Sequence, residues 1–145
     1  MPDVRGCQIP DHLHYWPEKH VWATFAEGMA TVGITDVAQH LAKTIISALP
    51  KEAGRPARKG KSLGTVESGK WVGPVTSPVT GEIVMVNEAA RAKPSIINED
   101  PYGEGWFVKV KPTDWAGESV LLVTGEAGVA TYQKFLEEQG IQCGG

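Results

Sequence analysis

The chain has 145 residues, of which 41% are hydrophobic and 21% charged, and its net charge is −3. That size suits one domain spanning residues 1–145 with a hydrophobic core. The weak negative charge gives no electrostatic case for nucleic acid or an acidic membrane surface, and the longest apolar runs are far too short to span a bilayer.

Residues 1–17 carry Pro2, Pro10 and Pro17 without a steady period, which predicts an extended lead-in. Met1–Gly6 lacks the apolar core of a signal peptide. The expectation is a cytoplasmic protein, and with it two reduced thiols, Cys7 and Cys143, in loose termini. A thiol at either end invites a role in relaying sulfur to a nearby group. No CxxC or zinc spacing accompanies them, and no metal site is expected.

His20–Phe25 and Met29–Ile34 flank Glu27-Gly28 and predict a hairpin. Thr35-Asp36 offers an N-cap, and Val37, Ala38, Leu41 and Ala42 recur at helical spacing, so a short helix follows from Asp36 to about Lys43. Thr44–Leu49 is a β-branched run closed by Pro50. Lys51–Lys61 is a polar loop whose Arg55, Arg58, Lys59 and Lys61 read as solvated charge. Gly60-Lys61-Ser62 resembles the end of a phosphate-binding loop, but position 55 is Arg where that motif needs Gly, which excludes nucleotide binding.

Lys61–Asn87 is the most informative stretch. Two apolar runs, Leu63–Val66 and Ile83–Val86, flank a centre rich in Gly and Pro. The pattern predicts strand, turn, strand, with Ser68-Gly69 turning the chain and Lys70 at the tip. Pro74, Pro78 and Gly81 predict an irregular return path as far as Glu82.

Glu88–Ala92 reads as a short helical turn, and Asn98–Gly105 as a polar loop. Trp106–Val110 is a half-buried strand ended by Pro112. Val120–Val123 fits helix or strand. Glu126–Gln139 is the clearest helix: Val129, Tyr132, Phe135 and Leu136 share one face and Gly140 can close it. Ile141–Gly145 is expected to be a loose tail. His20 and Trp22 read as packing residues. His12, His14 and His40 lack partners at catalytic or metal-ligating spacing, so no catalytic residue is assigned. Many short strands with Gly/Pro turns imply a small, mainly β sandwich or barrel.

Glu67-Ser68-Gly69-Lys70, followed by Ser77–Val84, resembles the lipoylation hairpin of the glycine-cleavage H protein and its relatives. That family has a glutamate three residues before the modified lysine and a glycine eleven after it, and Glu67 and Gly81 stand there. The likeness continues through Val86-Asn87-Glu88 and Asn98–Trp106, and reaches back to Ala30–Asp36 and Ala38-Gln39. It implies a lipoyl-carrier (barrel-sandwich hybrid) fold of two antiparallel sheets with a C-terminal helix packed outside. It also implies lipoic acid in amide linkage to Lys70, with Glu67 and Gly81 serving lipoylation recognition. Implied partners are a lipoylating enzyme, such as a lipoate–protein ligase, and a dihydrolipoamide dehydrogenase. Such a protein is a carrier and turns over no substrate alone, since the cofactor holds the chemistry. Biotin carriers bracket their lysine with methionines, whereas Lys70 lies between Gly69 and Trp71.

Glycine-cleavage members typically read S-H-E-W near the N-terminus and carry an aspartate four residues after the lysine. This chain reads Lys19-His20-Val21-Trp22 and has Pro74. An aminomethyl cargo is an ammonium at neutral pH and needs acceptors or a carboxylate to offset its desolvation. Lys19, Val21 and Pro74 supply none. The sequence looks like that of H-protein relatives associated with a heterodisulfide-reductase-like complex that oxidises sulfur compounds, in which the arm would carry a sulfur-bound intermediate. The alternatives are a glycine-cleavage H protein carrying aminomethyl, and an unlipoylated regulatory or binding module.

Overall fold

The computed structural model describes residues 2–143. Strands are β1 (Asp3–Val4), β2 (Cys7–Gln8), β3 (His14–Trp16), β4 (Val21–Ala26), β5 (Met29–Ile34), β6 (Ile45–Pro50), β7 (Pro56–Ala57), β8 (Ser62–Ser68), β9 (Trp71–Thr76), β10 (Gly81–Val86), β11 (Val108–Pro112) and β12 (Val123–Thr124). Helices are α1 (Asp36–Ala42), α2 (Glu88–Ala92), α3 (Ile96–Glu99), α4 (Trp115–Ser119) and α5 (Gly125–Gln139). The strands form a seven-stranded sheet, β12-β3-β4-β5-β11-β10-β7, a three-stranded sheet, β6-β8-β9, and a β1-β2 ribbon. Every pairing is antiparallel. The mainly β carrier fold expected from the family resemblance is present, with α5 at its C-terminal end. Among the described residues, no helix is long and apolar enough to cross a membrane.

Val32, Ile83, Val108 and Val110 of the large sheet meet Ala48, Leu63, Val66 and Val75 of the small one in one buried cluster. Each fully buried Val, Leu or Ile contributes about 1.5–3 kcal/mol. Phe107, just before β11, is buried in this cluster too. A second cluster joins Val4, Cys7, Ile9, Leu13 and Tyr15 to Trp22, Val37, Tyr132 and Leu136. It is the reason α5 docks: Tyr132 and Leu136 lie on the face the sequence marks as apolar, and Gly140 closes the helix at φ 68°.

The termini depart from expectation. The lead-in supplies β1, β2 and β3, and buries Val4, Cys7, Ile9, Leu13 and Tyr15. Its apolar residues are spaced to fill gaps under α5 and not at a strand or helix period, so periodicity misses them. Ile141–Cys143 is pinned: Arg5 Nε donates to the Ile141 carbonyl at 2.7 Å, and Cys143 N donates to the Arg5 carbonyl at 2.9 Å. Gly6 has φ 83°, and a Cβ there would overlap the Cys143 carbonyl, so the glycine lets the tail lie on the β1-β2 turn. Cys7 and Cys143 are not free thiols but a disulfide across 136 residues. Gly144 and Gly145 of the expected loose tail lie outside the described residues.

Two other expectations need correction. The chain after Lys70 returns as a strand, β9, as far as Thr76 despite Pro74, and the expected irregularity is confined to a register shift against β8 near Pro74 and to residues 77–80. In the order β6-β8-β9 that strand has a neighbour on one side only, so a residue without an N–H costs no ladder bond. In the basic loop, Lys59 is not simply solvated: its ammonium lies 4.0 Å from the Trp16 ring centroid.

Candidate functional site

The β8–β9 hairpin presents Lys70. Ser68 pairs with Trp71, which leaves Gly69 and Lys70 as a two-residue turn, with Ser68 closing β8. Neither turn residue has a positive φ. A Cβ at Gly69 would meet nothing within 4 Å, so the turn itself does not demand glycine there. The bare position leaves open space beside the lysine. Lys70 is exposed and makes no hydrogen bond or ion pair among the described residues.

Beside the turn lies a cavity of about 410 Å³, bordered by Lys70 itself, by Val66, Trp71 and Pro74 of the hairpin, and by Lys19 and Leu41 from across the cleft. Among the described residues, no aspartate or glutamate lines it. α1 is in place because Thr35 caps it, accepting from Ala38 N at 3.3 Å. Asn98 then holds its C-terminal end, donating from Nδ2 to the Lys43 carbonyl at 2.8 Å and accepting from Ile45 N at 2.9 Å.

His20 forms part of the cavity wall. It has φ 54°, in the left-handed region that side chains other than glycine seldom occupy. Its Nδ1 is 2.7 Å from the Tyr132 hydroxyl, which is 2.8 Å from Thr35 Oγ1. Burial lowers its pKa from 6.5 to about 4, against a smaller opposing pull from Glu18, so the ring is neutral at pH 7. The packing role expected for His20 is present, against Tyr132 and Phe135. The hydrogen-bonded chain was not legible, since Tyr132 lies 112 residues away. Trp22 is buried, and its indole N–H is shared between the carbonyls of Ile34 at 3.1 Å and Pro101 at 3.0 Å.

The other residues singled out from the sequence fall in different places. Glu67 is half-buried in β8 opposite Val72. Gly81 opens β10 in the other sheet, between Ala57 of β7 and Pro112 of β11. A Cβ at Gly81 would overlap the Lys111 carbonyl, so close strand approach is one reason for the glycine. Of the three residues expected in the cleft, Lys19 and Pro74 line it. Val21 does not: it is 1% exposed and belongs to the inter-sheet core. The alternation of β4 turns it inward, where a carboxylate would be buried.

A second cavity, of about 620 Å³, also has Lys70 on its wall, together with His40, Leu41, Lys43 and Cys143. Nothing in the local sequence points to it, because it forms only when the tail folds back beside α1.

A lipoyl group in amide linkage suits this lysine. The amine is exposed and unpaired among the described residues, and the adjoining wall of Val66, Leu41 and Trp71 suits a hydrocarbon chain. When bound, that group supplies a disulfide that opens to a dithiol.

The glycine cleavage H-protein family model matches residues 14–138. Glycine cleavage system H protein 5 of Aquifex aeolicus is 44% identical over 148 residues, covering 99% of this chain and 100% of that protein. A probable glycine cleavage system H protein 2 of Sulfurisphaera tokodaii is 40% identical, covering 99% and 98%. The crystal structure of a glycine cleavage system H protein from Mycobacterium marinum superposes with a TM-score of 0.77 at 33% identity, covering 92% of this chain and 100% of that one. The chain therefore belongs to the glycine cleavage H-protein family, whose members carry lipoic acid covalently on a lysine.

Proposed function

We propose that Lys70 is the lipoylated residue and that the protein is a mobile carrier of the glycine-cleavage type, passing an arm-bound intermediate between enzymes that never touch. The observation that carries this reading is the exposed amine at the tip of the β8–β9 turn beside an apolar cavity. A lipoylating enzyme is the first partner, with Glu67 and Gly81 as its recognition residues. The glycine-cleavage enzymes follow, with a dihydrolipoamide dehydrogenase to reoxidise the arm. The relatives' names favour an aminomethyl cargo.

One feature favours a second reading of the cargo. Among the described residues, the cavity is lined by Lys19 and by no carboxylate. Such a wall repels an ammonium and tolerates a neutral or anionic sulfur adduct, as a heterodisulfide-reductase-like partner would require. The test has two steps. Intact mass and peptide mapping of protein from a lipoylating host should place one lipoyl group on Lys70; an unmodified chain, beside a modified control carrier, supports the binding-module alternative. The holo protein is then given to the glycine-cleavage enzymes. Turnover matching that of an authentic carrier establishes the aminomethyl cargo. Poor turnover that rises in Lys19→Glu favours the sulfur cargo.

A further inference from the structure

Lys70 and Cys143, one end of the Cys7–Cys143 disulfide, border the same 620 Å³ cavity. Cys7 is fully buried, whereas Cys143, itself only 2% exposed, is a wall residue. Of the two half-cystines, the one that borders the cavity is therefore the one on the lysine's side. A His40 ring nitrogen, an Asp36 carboxylate oxygen and Cys143 Sγ lie within 4.8 Å of one another. An imidazole nitrogen and a carboxylate oxygen thus stand beside the sulfur that would be attacked. In a chain this size, a structural cross-link has no need of a cavity leading to the lysine at the tip of the β8–β9 turn.

We propose that the Cys7–Cys143 disulfide is an internal redox partner of the arm on Lys70, reduced by the arm's dithiol and able to reoxidise it. The inference rests on the reading of Lys70 as the lipoylated residue. An arm thiolate attacks Cys143 Sγ; a bond forms between those sulfurs as the Cys7–Cys143 bond breaks, and Cys7 leaves as a thiolate that takes up a proton. The second arm thiol then displaces Cys143, closing the arm's own disulfide, and Cys143 leaves as a thiolate that takes up the second proton. Two electrons and two protons pass from the arm to the cysteine pair. Exchange requires a thiolate and access, and both partners are tethered to one chain, so the effective concentration is that of a short linker, of millimolar order. The cysteine pair stores reducing equivalents without a second protein.

The test uses full-length holo protein, with lipoyl on Lys70 first established by peptide mapping, beside a Lys70→Arg control. Lys70 is exposed and unpaired, so the control folds. Each is treated with NADH and catalytic dihydrolipoamide dehydrogenase, quenched in acid, and alkylated with a mass tag. Tags are expected on Cys7 and Cys143 in the holo protein, appearing at least about tenfold faster than in Lys70→Arg. A fully tagged arm with untagged cysteines overturns the proposal and leaves the lipoyl assignment standing. Equal cysteine tagging in the control overturns it as well, since reduction then bypasses the arm. Absence of lipoyl on Lys70 overturns both readings together.

Discussion

The indole of Trp71 covers Gly73, two residues along the same strand, where a Cβ would overlap the ring. Trp71 is 45% exposed, yet Gly73 beneath it is buried. The pair forms a flap at the cavity mouth, next to Lys70. Gly73→Val should expel the ring and lower stability by about 1 kcal/mol, the typical cost of crowding a packed contact. In a Trp71→Ala background the same change should be neutral or stabilising, because glycine weakens a strand when nothing rests on it. Chemical denaturation of the four proteins in this double-mutant cycle measures the coupling. An additive outcome would remove the steric link.

His20 predicts a pH dependence. Its folded pKa, about 4, lies below the unfolded 6.5, so above pH 6.5 both states are neutral and the group contributes nothing to the slope. As pH falls from 6.5 toward 4, the unfolded chain takes up a proton that the folded one refuses, and stability declines. The full effect is on the order of 3 kcal/mol. His20→Gln should flatten this part of the stability–pH curve, measured by denaturant midpoints between pH 4 and 7.

The disulfide closes nearly the whole chain, its two ends standing 136 positions apart. A cross-link of that span restricts the unfolded ensemble strongly, and Cys143→Ser should cost about 2–5 kcal/mol. Unfolding of the wild type with and without a strong reductant should show the same difference. A reductant-insensitive midpoint would argue against the bond as a stabiliser.

Gly81→Ala separates two explanations of one glycine. The added methyl meets the Lys111 carbonyl, so a loss of about 1–3 kcal/mol is expected from overpacking. Lipoylation in vitro, at a temperature where the variant stays folded, then reports on recognition. A normal rate would confine Gly81 to strand packing. A severe loss in a folded variant would assign it to recognition by the lipoylating enzyme.

The sequence by itself determined the local elements and the lysine. β-Branched runs with Gly/Pro breaks mark β8 and its turn, and the positive φ values of Glu27 and Gly28 form the hairpin turn their order foretells. The Thr35 cap and the apolar stripe of α5 are equally local, since each depends on residues a few positions apart. What only the tertiary structure decided are contacts between distant residues: His20 with Tyr132, Cys7 with Cys143, and Val21 turned into the core and away from the cleft. Sequence periodicity reports which face of an element is apolar. It does not report which distant element covers that face, and the apolar residues of the lead-in follow no single period. The cavity joining Lys70 to Cys143 therefore exists only once the two ends of the chain have met beside α1.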